Sequence, residues 1–165
     1  MKKITKPVIV VSDVHIRSPQ EQNYHHLLEL IENIDSSQVK HFILLGDIFD
    51  FCFGRSKYFQ KKYNLLFEAL EKLARGTTQV VYLHGNHEFS LHALSWSFVK
   101  IIQKESYQIR YSSNRKINFC HGDFLISSLY YKKAMQFFRS RFFQSLLFLT
   151  PPSVLNKLCL SFAKF

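Results

Sequence analysis

Apolar residues in the first 120 positions gather into short runs, each stopped by a glycine or a polar residue. The runs cover residues 8–11, 42–45, 80–83 and 117–120. A run of this kind reads as a buried strand, because a strand covered on both faces has no need of polar alternation. Between the runs the period changes. Leu27, Leu28, Leu30, Ile31 and Ile34 recur at helical spacing within residues 24–34. Leu65, Leu66, Ala69, Leu70 and Leu73 do the same within residues 58–73, and Arg75-Gly76 reads as a helix stop. Residues 91–103 are a third helix candidate. Residues 107–111 and 116–120 read as an antiparallel pair turned at 112–115. Strand, helix, strand, helix predicts a layered α/β domain.

The last third has a different pattern. Residues 130–148 place Phe137, Phe138, Phe142, Phe143, Leu146, Leu147 and Phe148 at helical spacing, with Lys132, Lys133, Arg139 and Arg141 interleaved. Thr150-Pro151-Pro152 breaks the pattern, and a final helix is expected over 153–162. The chain therefore divides into a core, residues 1–128, and a basic, aromatic helical part, residues 129–165. That part is either an amphipathic pair packed on the domain or a membrane-facing lid. Cations spread among aromatics favour the lid.

Composition narrows the class. A chain of 165 residues fits one domain, and 47% apolar content with 17 phenylalanines excludes disorder. A net charge of +10 points to anionic partners: nucleic acid, phosphorylated small molecules or an anionic membrane surface. The three cysteines Cys52, Cys120 and Cys159 form no CxxC pair, which suits a reducing compartment. The apolar run after the N-terminal lysines is too short for a signal peptide or a span. A cytoplasmic protein, soluble or peripheral on a membrane, is expected.

The chemistry sits where the strands stop. Ser12-Asp13-Val14-His15, Gly46-Asp47-Ile48-Phe49-Asp50, Gly85-Asn86-His87-Glu88 and His121-Gly122-Asp123 each follow one run. Ligands of open α/β sheets bind at the carboxyl ends of strands. Asp13 and His15, two apart in an extended segment, point the same way. Asp47 follows a glycine that permits a sharp turn. Asn86 offers a neutral oxygen, and His87 offers a proton or a positive charge. Each motif alone has a bland reading, as a cap, a turn or a hydrogen-bonded histidine. Together they predict a metal site. Mixed Asp, Asn and His ligands suit Mn, Fe, Co or Zn better than Mg or Ca. Two such ions about 3.5–4 Å apart could bind both non-bridging oxygens of a phosphate. Asp47 is the best candidate for a carboxylate shared by both.

DxH, GDxxD, GNHE and a later HGD, spanning Asp13 to Asp123, resemble the calcineurin-like metallophosphoesterases. The resemblance implies a layered α/β sandwich and two divalent metal ions, most often Mn. It gives the first metal Asp13, His15 and Asp47, and the second Asp47, Asn86 and His121. It makes His87 the catalytic residue that neutralises phosphoryl charge and assists the leaving group. Asp50 would orient a ligand from behind. The basic, aromatic tail after HGD resembles that of the UDP-2,3-diacylglucosamine hydrolases of lipid A synthesis. Those enzymes cut a pyrophosphate at the inner membrane surface, and a helical insert shelters the acyl chains. The implied partners are a nucleotide-linked glycolipid and an anionic membrane.

The chain departs from that pattern twice. His87 stands where these hydrolases typically have Arg, so GNHE is the general family form. The family's GHxH motif, which gives one histidine to each metal, has no counterpart in the 165 residues. The resemblance thus implies a fold incomplete at the C-terminus, with weak metal retention and little or no turnover. A phosphodiesterase or phosphatase acting on nucleotides or nucleic acid is the next expectation from the same chemistry. A non-catalytic membrane-surface binding module is the alternative from another class.

Overall fold

A computed structural model describes residues 6–94, 96–104, 106–110, 115–123, 128–138, 140–151 and 154; the side chains of 132, 134 and 135 are not described. Its centre is a parallel sheet of order β1 (Val8–Val11), β2 (His41–Leu45), β4 (Gln79–Leu83) and β6 (Lys100–Ile102). The crossovers are α1 (Gln22–Glu32) and the pair α2 (Lys57–Lys62) and α3 (Asn64–Arg75). Two short strands, β3 (Cys52–Phe53) and β5 (Glu88–Phe89), pair in parallel beyond the strand ends. β7 (Ser106–Arg110) and β8 (Lys116–Cys120) form an antiparallel ladder of their own.

Strand pleating sorts the core into two layers. Phe42, Leu44, Val80 and Tyr82 join the helix-side cluster with Leu27, Ile31, Leu66, Leu70 and Leu73. Ile43, Val81 and Leu83 face the other way and meet Ile109 and Phe119 of the β7–β8 ladder. The result is helices, parallel sheet and antiparallel ladder in layers, an α/β sandwich. β1, β2, β4 and β8 fall on the four apolar runs, although β8 lies in the second layer and not beside the other three.

The helices differ from the periodicity in three places. Residues 57–75 form two helices, because the backbone leaves the helical region at Tyr63 (φ −113°, ψ 21°). That break lets the Tyr63 ring pack 4.5 Å from Phe49 and its hydroxyl donate to the Arg17 carbonyl at 3.1 Å. Residues 130–148 are likewise two helices, α4 (Leu129–Phe138) and α5 (Arg141–Leu149), since the Ser140 hydroxyl accepts from Phe143 N and caps the second. The helix expected over 91–103 does not form. Residues Leu91–Ala93 make one 3-10 turn and Lys100–Ile102 is the edge strand β6. Ile101 packs on the helix side and Ile102 on the ladder side, a period of two. The turn at 112–115, apart from Arg115, lies outside the described residues, as do Arg139 and the helix expected over 153–162 apart from Val154.

Phe138, Phe143 and Leu147 hold α4 and α5 to the helix-side core. The opposite faces expose Leu129, Tyr130, Phe137, Phe142, Leu146, Phe148 and Leu149. Arg55 lies over the Phe148 ring, 5.4 Å from its centre. Among the described residues, no helix is long and apolar enough to cross a membrane.

Candidate metal centre

The turns that leave β1, β2 and β4 run side by side and are bonded to one another. Asp13 N donates to the Gly46 carbonyl (3.2 Å), His15 N to Asp47 (3.1 Å) and Ile16 N to Ile48 (3.0 Å), and Asp50 N donates back to Ile16 (3.0 Å). Beyond them Cys52 N donates to the His87 carbonyl at 3.1 Å. The parallel order of the sheet thus continues past its end and holds the motif residues in register.

The backbone bends sharply at those residues. Asp13, His15 and Asp47 have φ of 54°, 51° and 52°, in the left-handed region. Such a residue costs on the order of 1–3 kcal/mol unless it is glycine, and Asp and His tolerate it better than most. Residues 13–15 are therefore not extended, as the spacing of DxH had implied. Two left-handed turns, not strand alternation, bring Asp13 and His15 to Asp47. Gly46 is also left-handed, at φ 83°, and a Cβ there would lie 2.7 Å from His121 Nδ1. A Cβ on Gly85 would overlap the Asp47 carboxylate.

Asp47 is the hub. It is 5% exposed. Its Oδ2 lies 3.2 Å from His121 Nε2, and its Oδ1 accepts from His87 N at 3.2 Å. With its amide nitrogen turned to Asp47, Asn86 donates at 2.9 and 3.2 Å, and its oxygen accepts from His87 Nε2 at 3.1 Å. Two sets of ligand atoms each lie within 4.8 Å of one another: His15, Asp47 and His87, and Asp13, Asp47 and His121. Asp47 belongs to both. By proximity alone, Asp13 groups with His121 and His15 with His87.

Charge is focused on the same carboxylate. Burial alone would raise the Asp47 carboxyl, but the His121 hydrogen bond and the nearby His121 and His87 charges outweigh it and hold it below its usual range. The bond to Asp47 lifts the His121 imidazole to about 9, against the opposing effect of burial. His121 Nδ1 donates to the Leu45 carbonyl at 3.0 Å, which turns Nε2 to the centre. Asp50 stands behind both of the other imidazoles. Its Oδ1 is 3.5 Å from His15 Nδ1, and its carbonyl accepts from His87 Nδ1 at 2.7 Å. Its Oδ2 accepts from Arg17 Nε at 3.1 Å.

All six motif residues weighed for the centre, Asp13, His15, Asp47, Asn86, His87 and His121, are thus in one place. Asp123 is outside both sets, and its Oδ2 accepts from the Tyr131 hydroxyl at 3.3 Å. One residue that sequence reasoning passed over is Glu88. Its side chain is buried and accepts from the backbone N–H groups of Asp47, Ile48, Phe49 and Gly85 and from the Tyr82 hydroxyl. Burial and the Asp47 charge push its carboxyl up, while the Gly85 and Phe49 N–H groups and Tyr82 pull it back. The one available signal was a carboxylate directly after His87.

A shared carboxylate, a second Asp, an Asn amide and three imidazoles form a donor set suited to divalent transition metals. Asp13 is exposed and His15, His87 and His121 are partly so, which leaves the centre open to solvent. A cavity of about 530 Å³ elsewhere, lined by Phe67, Glu68, Glu71, Lys72, Arg75 and Trp96, contains none of these residues and no imidazole.

The chain is similar to known proteins over most of its length. The chain is 25% identical over 134 residues to the UDP-2,3-diacylglucosamine hydrolase of Neisseria meningitidis serogroup B, a match covering 81% of this chain and 54% of that protein. It is 24% identical over 152 residues to the enzyme of the same name from Haemophilus influenzae, covering 90% and 62%. The Chromohalobacter salexigens enzyme is 31% identical over 81 residues, covering 49% and 32%. The chain thus spans between a third and two thirds of the length of these relatives. The family model for calcineurin-like phosphoesterases matches residues 6–151, which include every residue of the centre, and the chain belongs to that family.

Proposed function

We propose that the chain carries a metal-dependent phosphoesterase centre that hydrolyses a pyrophosphate bond in a nucleotide-linked glycolipid of the UDP-2,3-diacylglucosamine type. The observation that carries this reading is Asp47, one buried carboxylate common to two sets of ligand atoms. The proposed ligands are Asp13, His15, Asp47, Asn86 and His121. They are the same five whether Asp13 and His15 hold one ion together or divide between two. Divalent ions, Mn in the first instance, would supply a Lewis acid and a nucleophile usable at neutral pH.

The remaining roles fall to the chain's own groups. His87 Nδ1 is tied to the Asp50 carbonyl, so Nε2, which lies 3.1 Å from the Asn86 oxygen, is the nitrogen on the side of the centre and the one that would meet substrate. There it can neutralise a phosphoryl oxygen and give a proton to the leaving oxygen. The Asp50 carboxylate holds His15 from behind and so fixes the direction of its free nitrogen. The relatives' names support a sugar-nucleotide lipid as substrate.

Residues 129–165 are, in this reading, a lid at a cytoplasmic membrane surface. The exposed faces of α4 and α5, with Lys133 and Arg141 beside the aromatics, support it. The chain should sediment with anionic vesicles at low salt and release them as salt screens the cations. Indifference to such vesicles would leave α4 and α5 as ordinary packing helices.

The decisive experiment supplies Mn²⁺ and UDP-2,3-diacylglucosamine and follows UMP release, with a generic phosphodiester in parallel. Release of UMP is expected. Hydrolysis of the generic ester alone would favour a nucleotide or nucleic-acid phosphodiesterase, which the net charge of +10 would also serve. No hydrolysis of either by metal-loaded protein would overturn the enzymatic reading.

A further inference from the structure

Glu88 has no task in the centre as described, yet it is 2% exposed and fully engaged. Its Oε2 accepts from Asp47 N (3.0 Å) and Gly85 N (2.7 Å), one from each of the turns after β2 and β4. Its Oε1 accepts from Ile48 N (2.6 Å), Phe49 N (3.2 Å) and the Tyr82 hydroxyl (2.9 Å). Every one of these neighbours brings a hydrogen. Three successive N–H groups, from Asp47 to Phe49, curl around one anion, the concave arrangement that backbone uses to bind phosphates. Here the chain fills it with its own side chain.

We infer that Glu88 is the positioning residue of the centre: its carboxylate clamps the turn after β2 to the turn after β4 and holds Asp47 where both ligand sets need it. This rests on the assignment of Asp47 as the shared ligand. Asp47 sits at φ 52°, a conformation that surrounding bonds must maintain. The Oε2 bonds do so from one side and fix Gly85 from the other. The turns are in contact there, since a Cβ on Gly85 would meet Asp47. A second buried carboxylate beside Asp47 is unfavourable as electrostatics. A residue kept only to fill space could be apolar. What a carboxylate adds is an acceptor on both sides at once. Glutamine in its place would have one acceptor. With that oxygen on Ile48, Phe49 and Tyr82, its NH₂ would face Asp47 N and Gly85 N, donor against donor. Glu88→Gln therefore cuts the link between the turns while keeping size and shape.

The test compares wild type, Glu88→Gln and Leu70→Ala, the last a core change far from the centre in sequence and absent from both ligand sets. Two quantities are read at a temperature where all are folded: Mn²⁺ affinity by titration, and amide hydrogen exchange at Asp47, Ile48, Phe49 and Gly85. Glu88→Gln is expected to weaken Mn²⁺ binding by about 10–100-fold, as loss of a residue behind a metal ligand does. Its Asp47 and Gly85 amides should exchange at least roughly tenfold faster than in wild type once their acceptor is gone, while those of Ile48 and Phe49 keep theirs. Leu70→Ala should leave affinity unchanged. Glu88→Gln with wild-type affinity overturns the inference, as does an equal loss in Leu70→Ala. If Glu88→Gln does not fold, Glu88→Asp, which keeps the charge but withdraws it by one methylene, takes its place with the same criteria. A wild-type chain that takes up no Mn²⁺ defeats the metal reading instead; the clamp is then decided by the amides, and unprotected Asp47 and Gly85 amides in wild type refute it.

Discussion

The turns around Asp47 and the helices α4 and α5 use aromatic and charged residues in opposite ways. Around Asp47 charge is carried into the interior and the chain is bent against its preference. Three residues other than glycine are left-handed there, and two carboxylates are at most 5% exposed. Every one of those departures is met by a hydrogen bond from a neighbouring turn. In α4 and α5 the local rules are obeyed, with regular helices and a serine cap, but seven large apolar side chains among the described residues face outward. Leu149 is 78% exposed and Tyr130 85%. Strain held inside the molecule marks a site prepared for a small, highly charged ligand. Apolar surface left outside is what the proposed membrane contact would cover. The first cannot be relieved by a partner, and the second can.

That contrast can be broken at its strongest point by Asp47→Ala. Both ligand sets lose a member, so phosphoesterase turnover should become undetectable and metal content should fall to background. His87→Ala should lower kcat by about 10²–10⁴-fold, the range for a lost proton donor, with metal content nearly intact. Equal metal loss in the two variants would show that His87 is a ligand and not a proton donor.

The two regions should separate again in stability. Leu70, 1% exposed, is core: Leu70→Ala should cost about 2–5 kcal/mol in denaturant unfolding. Phe142, 73% exposed, should tolerate alanine within about 0.5 kcal/mol while losing vesicle binding. A large cost at Phe142 would mean that the outward face is covered within the protein.

The smallest expected effect is on pH. His121 is held at about 9, above its ordinary 6.5, so folding favours its charged form. That contribution is complete below pH 6.5 and is lost as pH rises to about 9. With EDTA present, Tm should decline over that window, and His121→Gln should flatten the decline. Asp47, held below its ordinary 3.8, contributes with the opposite sign and loses its share only in acid. A Tm rising from pH 6.5 to 9 would contradict the His121–Asp47 pairing.

The strands and the contents of the centre were legible in the sequence; the geometry was less so. β1, β2, β4 and β8 are runs of buried residues, and burial is written directly in residue type. Asp13, His15, Asp47, Asn86, His87 and His121 were legible because each follows such a run. The missing helix at 91–103 was not, because Leu91, Leu94, Phe98 and Ile101 sit at helical spacing although, among the described residues, only Lys100–Ile102 is a regular element there besides one turn. The breaks at Tyr63 and Ser140 each depend on one residue's contacts. The left-handed bends at Asp13 and His15 leave no mark in composition. Glu88 was hidden for another reason: four of its five partners are backbone N–H groups, which every residue but proline carries, and three of them lie about 40 positions away.

Gly46 and Gly85 look like spacers within their motifs. The His121 ring occupies the space a side chain on the first would need, and the Asp47 carboxylate does so for the second. In a saturation library selected for metal uptake, these two positions should therefore accept no substitution, alanine included. Exposed Gly122, whose Cβ would meet nothing within 4 Å, should accept several. Any path that reshapes this centre for a different ion or substrate is therefore closed at its smallest residues, whatever happens at the larger ones around them.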